Sequence, residues 1–218
     1  MNEYANLVKT NLENVVSEID TCSYLFLKNP EKDFTRKRKL DFKKMIHILL
    51  SMGGKSLKLE LMDNFLYDID TPTSAAFVQQ RNKILPDAFQ YLFHEFTKKS
   101  ISSKSYNGYR LLAADGSDIC IYHNPSDEES YFPNGPKAKG FNMLQLNALY
   151  DLCNRVFVDA NILPGRKMNE RQALVDMIKR ADSKEKTIIV ADRGYENYCV
   201  FEVSVKPCTH TNANLYLV

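Results

Sequence analysis

Two short apolar runs end in the same way, and together they constrain this chain more than any other feature. Leu111-Leu112-Ala113-Ala114 leads into Asp115-Gly116-Ser117, and Thr187-Ile188-Ile189-Val190-Ala191 leads into Asp192-Arg193-Gly194-Tyr195. An apolar run of this length reads as a buried strand. Each closes on Ala-Asp, which predicts a carboxylate at the carboxyl end of a strand, on the rim of a sheet. Two such strands side by side bring Asp115 and Asp192 together, and paired carboxylates are how a protein holds a divalent metal. The residues alone leave a second reading open, in which each Asp merely starts a turn, because Asp-Gly and Asp-x-Gly are common turn sequences.

The chain has 218 residues, enough for one or two domains. No apolar run reaches the length of a membrane span, and residues 1–20 lack the basic start and apolar block of a secretory signal. Cys22, Cys120, Cys153, Cys199 and Cys208 are scattered without a Cys-x-x-Cys pair, so neither a zinc site nor a disulfide framework is indicated. Reduced thiols and a cytoplasmic location are expected. The net charge of +2 is uneven: residues 1–110 carry an excess of four positive charges, the remainder an excess of two negative ones. A basic front half ahead of a mildly acidic back half fits a nucleic-acid-binding module followed by a metal-binding one.

The front half reads as helical. Leu7, Val8, Leu12, Val15, Val16 and Ile19 fall at helical spacing. The basic run Arg36-Lys37-Arg38-Lys39 leads into an apolar stripe of Phe42, Met45, Ile46, Leu49 and Leu50, ended by Gly53-Gly54. Residues 56–65 predict another helix. Thr71-Pro72-Thr73-Ser74 is a turn with an N-cap signal, and residues 75–83 predict a short polar-faced helix. Leu85 to Phe96 is strongly amphipathic, opened by Pro86. Gln80, Arg81 and Lys83, with Arg36, Lys37 and Arg38, have side chains of the kind that read base edges and phosphates. A helix-turn-helix and a solvated face of an ordinary bundle both accommodate them.

Lys98 to Asn107 reads as a linker, after which the pattern changes to strands. Strands are expected at 109–114, at 119–122 after a Gly-Ser turn, at 143–149, at 155–163 and at 187–191. Residues 123–140 read as loop, and 169–181 as a helix in which Asn169 and Gln172 resemble a capping box. A helix is also expected to open at Tyr195 to Phe201. Three meandering strands, a crossover helix and a strand returning parallel beside the first make the connectivity of a ribonuclease H-like domain. The fold class is therefore α+β: a helical domain over 1–105 that fits DNA binding and a ribonuclease H-like domain with a mixed sheet over 106–202.

Several segments carry a family resemblance: "YNGYRLLAADGSDICIYHNPSDEESYF", "GFNMLQLNALYDLCNRVFVDANI", "NERQALVDMIKR" and "IIVADRGYENY", preceded by "RKLDFKKMIHILLSMGGKSLKLEL" and "SAAFVQQRNKILPDAFQYLFHEF". In this order they resemble the DDE transposases of bacterial insertion sequences, the IS-four family above all. The resemblance implies Mg²⁺-dependent DNA cleavage and strand transfer at a two-metal site. It also implies binding to the terminal inverted repeats of double-stranded DNA, and a homodimer or a heterodimer with a longer transposase. Asp115 resembles the first acidic residue of the triad and Asp192 the second, as catalytic residues and as metal ligands. Asp118 is set aside as first acid, since a Gly-Ser turn would direct its side chain elsewhere.

The family's third acid is a Glu in a Tyr-x2-Arg-x3-Glu-x6-Lys signature, and none occurs here. Nothing marks Glu196 as its substitute. The final residues, "VSVKPCTHTNANLYLV", do not resemble the family's continuation. The resemblance thus implies that the ribonuclease H-like domain over 106–202 is partial and that 203–218 is a divergent tail, so an uncovered sheet edge is expected after the 187–191 strand. A truncated transposase without cleavage activity follows as the expectation. The alternative is a non-catalytic DNA-binding fragment that inhibits the full-length enzyme.

Overall fold

Apolar spacing and capping residues set the helices of the first half. The computed structural model describes residues 3–36, 38–102, 104–135, 138–181, 186–195 and 213–217, and divides the chain into two compact units, Met1–Ser100 and Ile101–Val218. Five helices build the first unit: α1 (Glu3–Thr21), α2 (Phe42–Ser51), α3 (Leu57–Asn64), α4 (Ser74–Arg81) and α5 (Asp87–Ser100). Asp41 caps α2 by accepting from the Lys44 N–H at 2.7 Å, and Thr73 caps α4 by accepting from Ala76 at 3.2 Å. Their core joins Val15, Val16 and Ile19 of α1 to Met45, Ile46 and Ile48 of α2, Leu61 of α3, Phe77 of α4, and Ala88 and Leu92 of α5. Each Leu or Ile so buried stabilises the unit by about 1.5–3 kcal/mol relative to exposure. The α2 stripe is turned from the expected one, because Ile48 is buried whereas Leu50 is 42% exposed. Helix α5 runs to Ser100, so the front of the expected linker is its last turn.

The second unit is a six-stranded mixed sheet. Its strands are β1 (Arg110–Ile121), β2 (Tyr131–Asn134), β3 (Ala138–Asp151), β4 (Val156–Pro164), β5 (Thr187–Ala191) and β6 (Ala213–Leu217), with α6 (Glu170–Arg180) between β4 and β5. The path runs β2-β3-β1-β5-β6, and β4 pairs β3. β3 lies antiparallel to β1 and β4, and β5 lies parallel to β1, as the strand–helix–strand crossover required. Helix α6 buries Leu174, Val175, Met177 and Ile178 against Leu112 and Ala114 of β1, Leu149 of β3, and Ile189 and Ala191 of β5. This is one apolar stripe covering one face of the sheet.

Three expectations are corrected. The Gly-Ser turn does not exist. β1 is one strand through it, with Asp115 opposite Ala148, Gly116 opposite Asn147 and Ser117 opposite Leu146. A long antiparallel partner outweighs the local preference of Asp-Gly-Ser for a turn. The loop expected at 123–140 contains β2, which pairs with the start of β3 and shifts register between Phe132 and Asn134. The 187–191 strand is not an uncovered edge, since the backbone of β6 pairs parallel to it from Thr187↔Ala213 to Ala191↔Leu217. Backbone pairing needs an extended segment, not a family motif, and Leu-Tyr-Leu favours extension. A short 3-10 turn covers Arg193–Tyr195, and the helix expected over Tyr195 to Phe201 lies, apart from Tyr195, outside the described residues. Among the described residues no helix is long and apolar enough to cross a membrane.

Asp151 clamps the base of the sheet. It is wholly buried, and its Oδ2 accepts from Arg110 Nε at 3.1 Å and from Asn154 Nδ2 at 3.0 Å. Its Oδ1 accepts from the backbone N–H groups of Cys153, at 3.1 Å, and Asn154, at 2.8 Å. A buried charge with four donors is satisfied, whereas removing it strands a guanidinium and two N–H groups. Asp151→Ala is expected to destabilise the chain by about 3–5 kcal/mol in urea unfolding. A loss below about 1 kcal/mol, the size of a surface pair, would show that the clamp is dispensable.

Candidate active site

Pairing positions the two aspartates. β1 and β5 are in register from Arg110↔Thr187 to Ala113↔Val190. Asp115 stands two residues beyond Ala113, and Asp192 two beyond Val190. The two carboxylates therefore leave neighbouring strands at matching positions, where parallel strands lie about 4.8 Å apart. Asp115 lies inside β1 rather than at its end, because β3 continues to pair with it. Both aspartates are exposed to solvent. Asp115 Oδ1 accepts from the Gly116 N–H at 2.8 Å, and Asp192 Oδ1 from the Gly194 N–H at 2.8 Å. Gly194 permits the second of these, because a Cβ there would stand 2.9 Å from that same oxygen.

Other polar groups gather beside the pair. Glu170 is the first residue of α6, capped by Asn169, whose side chain accepts from the Gln172 N–H at 3.0 Å. The expected capping box is thus half formed, since Gln172 turns to Asp176. Arg171 Nε donates to the Gly194 carbonyl at 2.9 Å and ties the start of α6 to the turn after Asp192. On β3, Gln145 and Asn147 are buried, and Gln145 Nε2 donates to Glu170 Oε1 at 2.7 Å. Asn147 Nδ2 donates to Gln145 Oε1 at 3.4 Å, and Asn147 Oδ1 has no partner among the described residues. The Tyr195 hydroxyl is likewise buried without a partner. Burial first, then the charges of Glu170, Asp115 and Asp192, push its pKa well above the tyrosine value of 10.0. All three carboxylates thus act on one phenol.

Asp118 stays on β1, opposite Gln145, with no turn to redirect it. Glu196 lies outside the described residues. Reading the sequence missed Glu170, Gln145, Asn147 and Tyr195. The available signal was the pair of amides at alternate positions on a strand that otherwise alternates with Leu144, Leu146 and Ala148.

These donors are all oxygens, which suits a hard divalent cation such as Mg²⁺. Among the described residues no three of His, Cys, Asp and Glu stand close enough to hold one ion. The fit therefore rests on the carboxylates of Asp115 and Asp192.

The residues singled out in the first unit split into two groups. Arg36, Arg38, Gln80 and Lys83 line one cavity of about 280 Å³ together with Phe34. Backbone bonds from Lys28 N–H to the Lys83 carbonyl, at 2.9 Å, and from Leu85 N–H to the Phe26 carbonyl, at 2.8 Å, tie the chain ahead of the basic run to the end of α4. Lys83 Nζ stands 3.7 Å from Asp33 Oδ1 and 5.7 Å from the centre of the Phe34 ring. Gln80 is buried, and its Oε1 has no partner among the described residues. Arg81 is exposed outside this cavity, and Lys37 lies outside the described residues. Two guanidinium groups and the ammonium groups of Lys32 and Lys83, against the single carboxylate of Glu31, give the concavity a cationic excess that suits an anionic group.

The family described as the transposase DDE domain matches residues 106–204. Among solved structures, a match is the Mos1 transposase paired-end complex with left transposon end, at 12% identity and a TM-score of 0.32, covering 83% of this chain and 59% of that one. The chain thus spans 59% of that relative's length. No curated protein matches.

Because the Tyr195 hydroxyl is buried and unpartnered among the described residues, Tyr195→Phe is expected to remove an unsatisfied polar group. The variant is expected to be more stable than the parent by about 1 kcal/mol at pH 7 in urea unfolding. The folded pKa is raised, so the neutral phenol is favoured in the fold. The parent should therefore lose stability as pH rises above the unfolded value of 10.0, and the Phe variant should be spared that component. A Phe variant less stable by 1 kcal/mol or more at both pH values would mean that the hydroxyl is bonded.

Proposed function

Residues 106–204 match the transposase DDE domain, and on that premise we propose that the chain engages transposon-end DNA and holds Mg²⁺ at Asp115 and Asp192. The carrying observation is the parallel β1–β5 register, which sets the two carboxylates at matching positions within that domain. When bound, divalent ions supply Lewis acidity to the attacking and leaving oxygens of phosphodiester cleavage and strand transfer. The chain's own part is to bind and to orient. Asp115 and Asp192 offer solvated carboxylates that need little reorganisation. Arg171, through the Gly194 carbonyl, holds the Asp192 turn against α6. The cavity lined by Arg36, Arg38 and Lys83 supports phosphate binding by the helical unit, with exposed Arg81 adding to it.

The 218 residues contain no Tyr-x2-Arg-x3-Glu-x6-Lys signature. Within these residues that absence supports a second reading, DNA binding without cleavage, as an inhibitor paired with a longer transposase. Lacking one acid of three should lower the rate about a hundredfold or more, by analogy with other electrostatic stabilisers.

The purified 218-residue chain is expected to retard duplex DNA bearing terminal inverted repeats, with affinity falling steeply as salt rises. Arg36→Ala with Arg38→Ala should weaken that binding and flatten its salt slope by about two. With Mg²⁺ and supercoiled plasmid, no nicking is expected. Metal-dependent nicking that Asp192→Ala abolishes would overturn the non-catalytic part. Retention of DNA that ignores salt would overturn the phosphate-binding part.

A further inference from the structure

We propose that a cavity of about 240 Å³ at the amino ends of β1 and β5 binds a phosphate of the nucleic-acid backbone, at the end of the sheet opposite Asp115 and Asp192. The inference rests on the reading that the chain engages DNA, and it adds a contact within the second unit that this reading does not include.

The charge of this cavity has one sign. Lys104, Arg110 and Lys186 line it, and none of its lining residues is acidic. The buried Asp151 behind it balances Arg110, accepting from Nε at 3.1 Å. A guanidinium has five N–H donors, so that bond leaves others to give. Lys104 and Lys186 have no carboxylate partner among the described residues. Two uncompensated ammonium groups beside a positioned guanidinium suit a phosphate, which accepts charge-assisted hydrogen bonds from both kinds of donor. Lys104 and Lys186 are exposed, as are Ser102 and Gly108 on the same rim. An open rim of cations fits a phosphate that arrives on a polynucleotide and keeps its outer oxygens in water.

The walls are fixed by bonds of their own. Asn154, in the turn between β3 and β4, donates through Nδ2 to the Lys104 carbonyl at 3.1 Å and to Asp151 Oδ2 at 3.0 Å. Its Oδ1 accepts from the Ser102 hydroxyl at 2.5 Å. One buried carboxylate thus positions the guanidinium directly and the Lys104 segment through Asn154. Strand register places Lys186: its carbonyl accepts from the Arg110 N–H at 2.8 Å, just ahead of the Arg110↔Thr187 pair. Lys186 Nζ stands 5.9 Å from the centre of the Tyr109 ring, a cation–π contact that holds the ammonium without neutralising it. Gly108 belongs to a tight turn. Tyr106 and Tyr109 exchange backbone bonds at 2.8 and 2.9 Å, and Asn107 and Gly108 between them take φ of 49° and 80°, as a two-residue hairpin turn demands. Groups held in place before binding lose less freedom when the ligand arrives.

The test is fluorescence anisotropy of a labelled DNA duplex of arbitrary sequence with the full 218-residue chain, over a salt series. Lys104→Gln with Lys186→Gln is expected to weaken binding about tenfold at about 0.1 M salt and to lower the salt slope by about one. Thermal unfolding should be unchanged, since Lys104 is bonded to Asn154 only through its carbonyl. Lys104→Arg with Lys186→Arg keeps both charges and should bind like the parent. Lys139→Gln with Lys179→Gln removes the same charge from exposed positions outside the cavity and should cost much less affinity. An equal loss in that control overturns the site in favour of a general field. Parental affinity in the Lys104, Lys186 double variant, with affinity lost in Arg36→Ala with Arg38→Ala, overturns this contact and leaves the cavity of the helical unit standing. Inorganic phosphate titrated by calorimetry separates the remaining source. Phosphate bound by the parent and lost in the Gln pair, with duplex affinity unchanged, assigns the cavity to a free phosphate and overturns the backbone contact. A parent chain that binds no duplex overturns both this site and the reading on which it rests.

Discussion

The site depends on β1 having two neighbours as far as Ala113 and one beyond it. Burial follows the pairing: Leu112 and Ala114 are buried, and from Asp115 onward most of the strand is exposed. A carboxylate placed between two neighbours would have to be desolvated at a cost of several kcal/mol. Placed two residues later, it keeps its water and still stands beside the end of β5. β3 pairs with β1 along its length, so the backbone of Asp115 is fixed while its side chain remains free to serve. The apolar contacts of α6 hold the two strands from one face, and the Arg171 bond to Gly194 extends that hold to the turn after Asp192.

The helical unit answers a different requirement. Its core is continuous over all five helices, so its surface loops can carry charge without loss of cohesion. The chain ahead of the basic run is held by backbone bonds on either side of Ile84, and Lys39 of the run pairs with Asp70 at 2.9 Å. Arg36 and Arg38 line the cavity instead. Lys83 is partly committed, to Asp33 and to the face of Phe34.

The long-range connectivity was legible because it follows from element order: three strands, one helix and a returning strand allow few arrangements. The aspartate pair was legible for the same reason. What escaped depended on tertiary competition. Asp115-Gly116-Ser117 is a turn sequence by local preference, yet fourteen residues of β3 impose extension on it. β2 escaped because Tyr131-Phe132-Pro133-Asn134 lies among turn formers and is a strand only by virtue of its pairing with β3. β6 escaped because family likeness ends before it, whereas the backbone edge of β5 is indifferent to likeness. Glu170 escaped because a helix-opening glutamate is ordinary. Only the buried amides of Gln145 and Asn147 give it a direction.

The register of the sheet also orders the events of folding. β3 turns into β4 across Asp151↔Val156, a closure of a few residues that Asp151 staples through its own turn. Joining β1 to β5 must instead close the whole span from Arg110 to Thr187. Loop-closure entropy grows with that span and is met only after the contacts form. The antiparallel strands therefore gather first and the crossover strand arrives last, carrying Asp192 with it. An intermediate lacking β5, and with it the β6 edge, would possess the antiparallel part of the sheet without the Asp115–Asp192 pairing, so that pairing marks the completed fold and not its precursors.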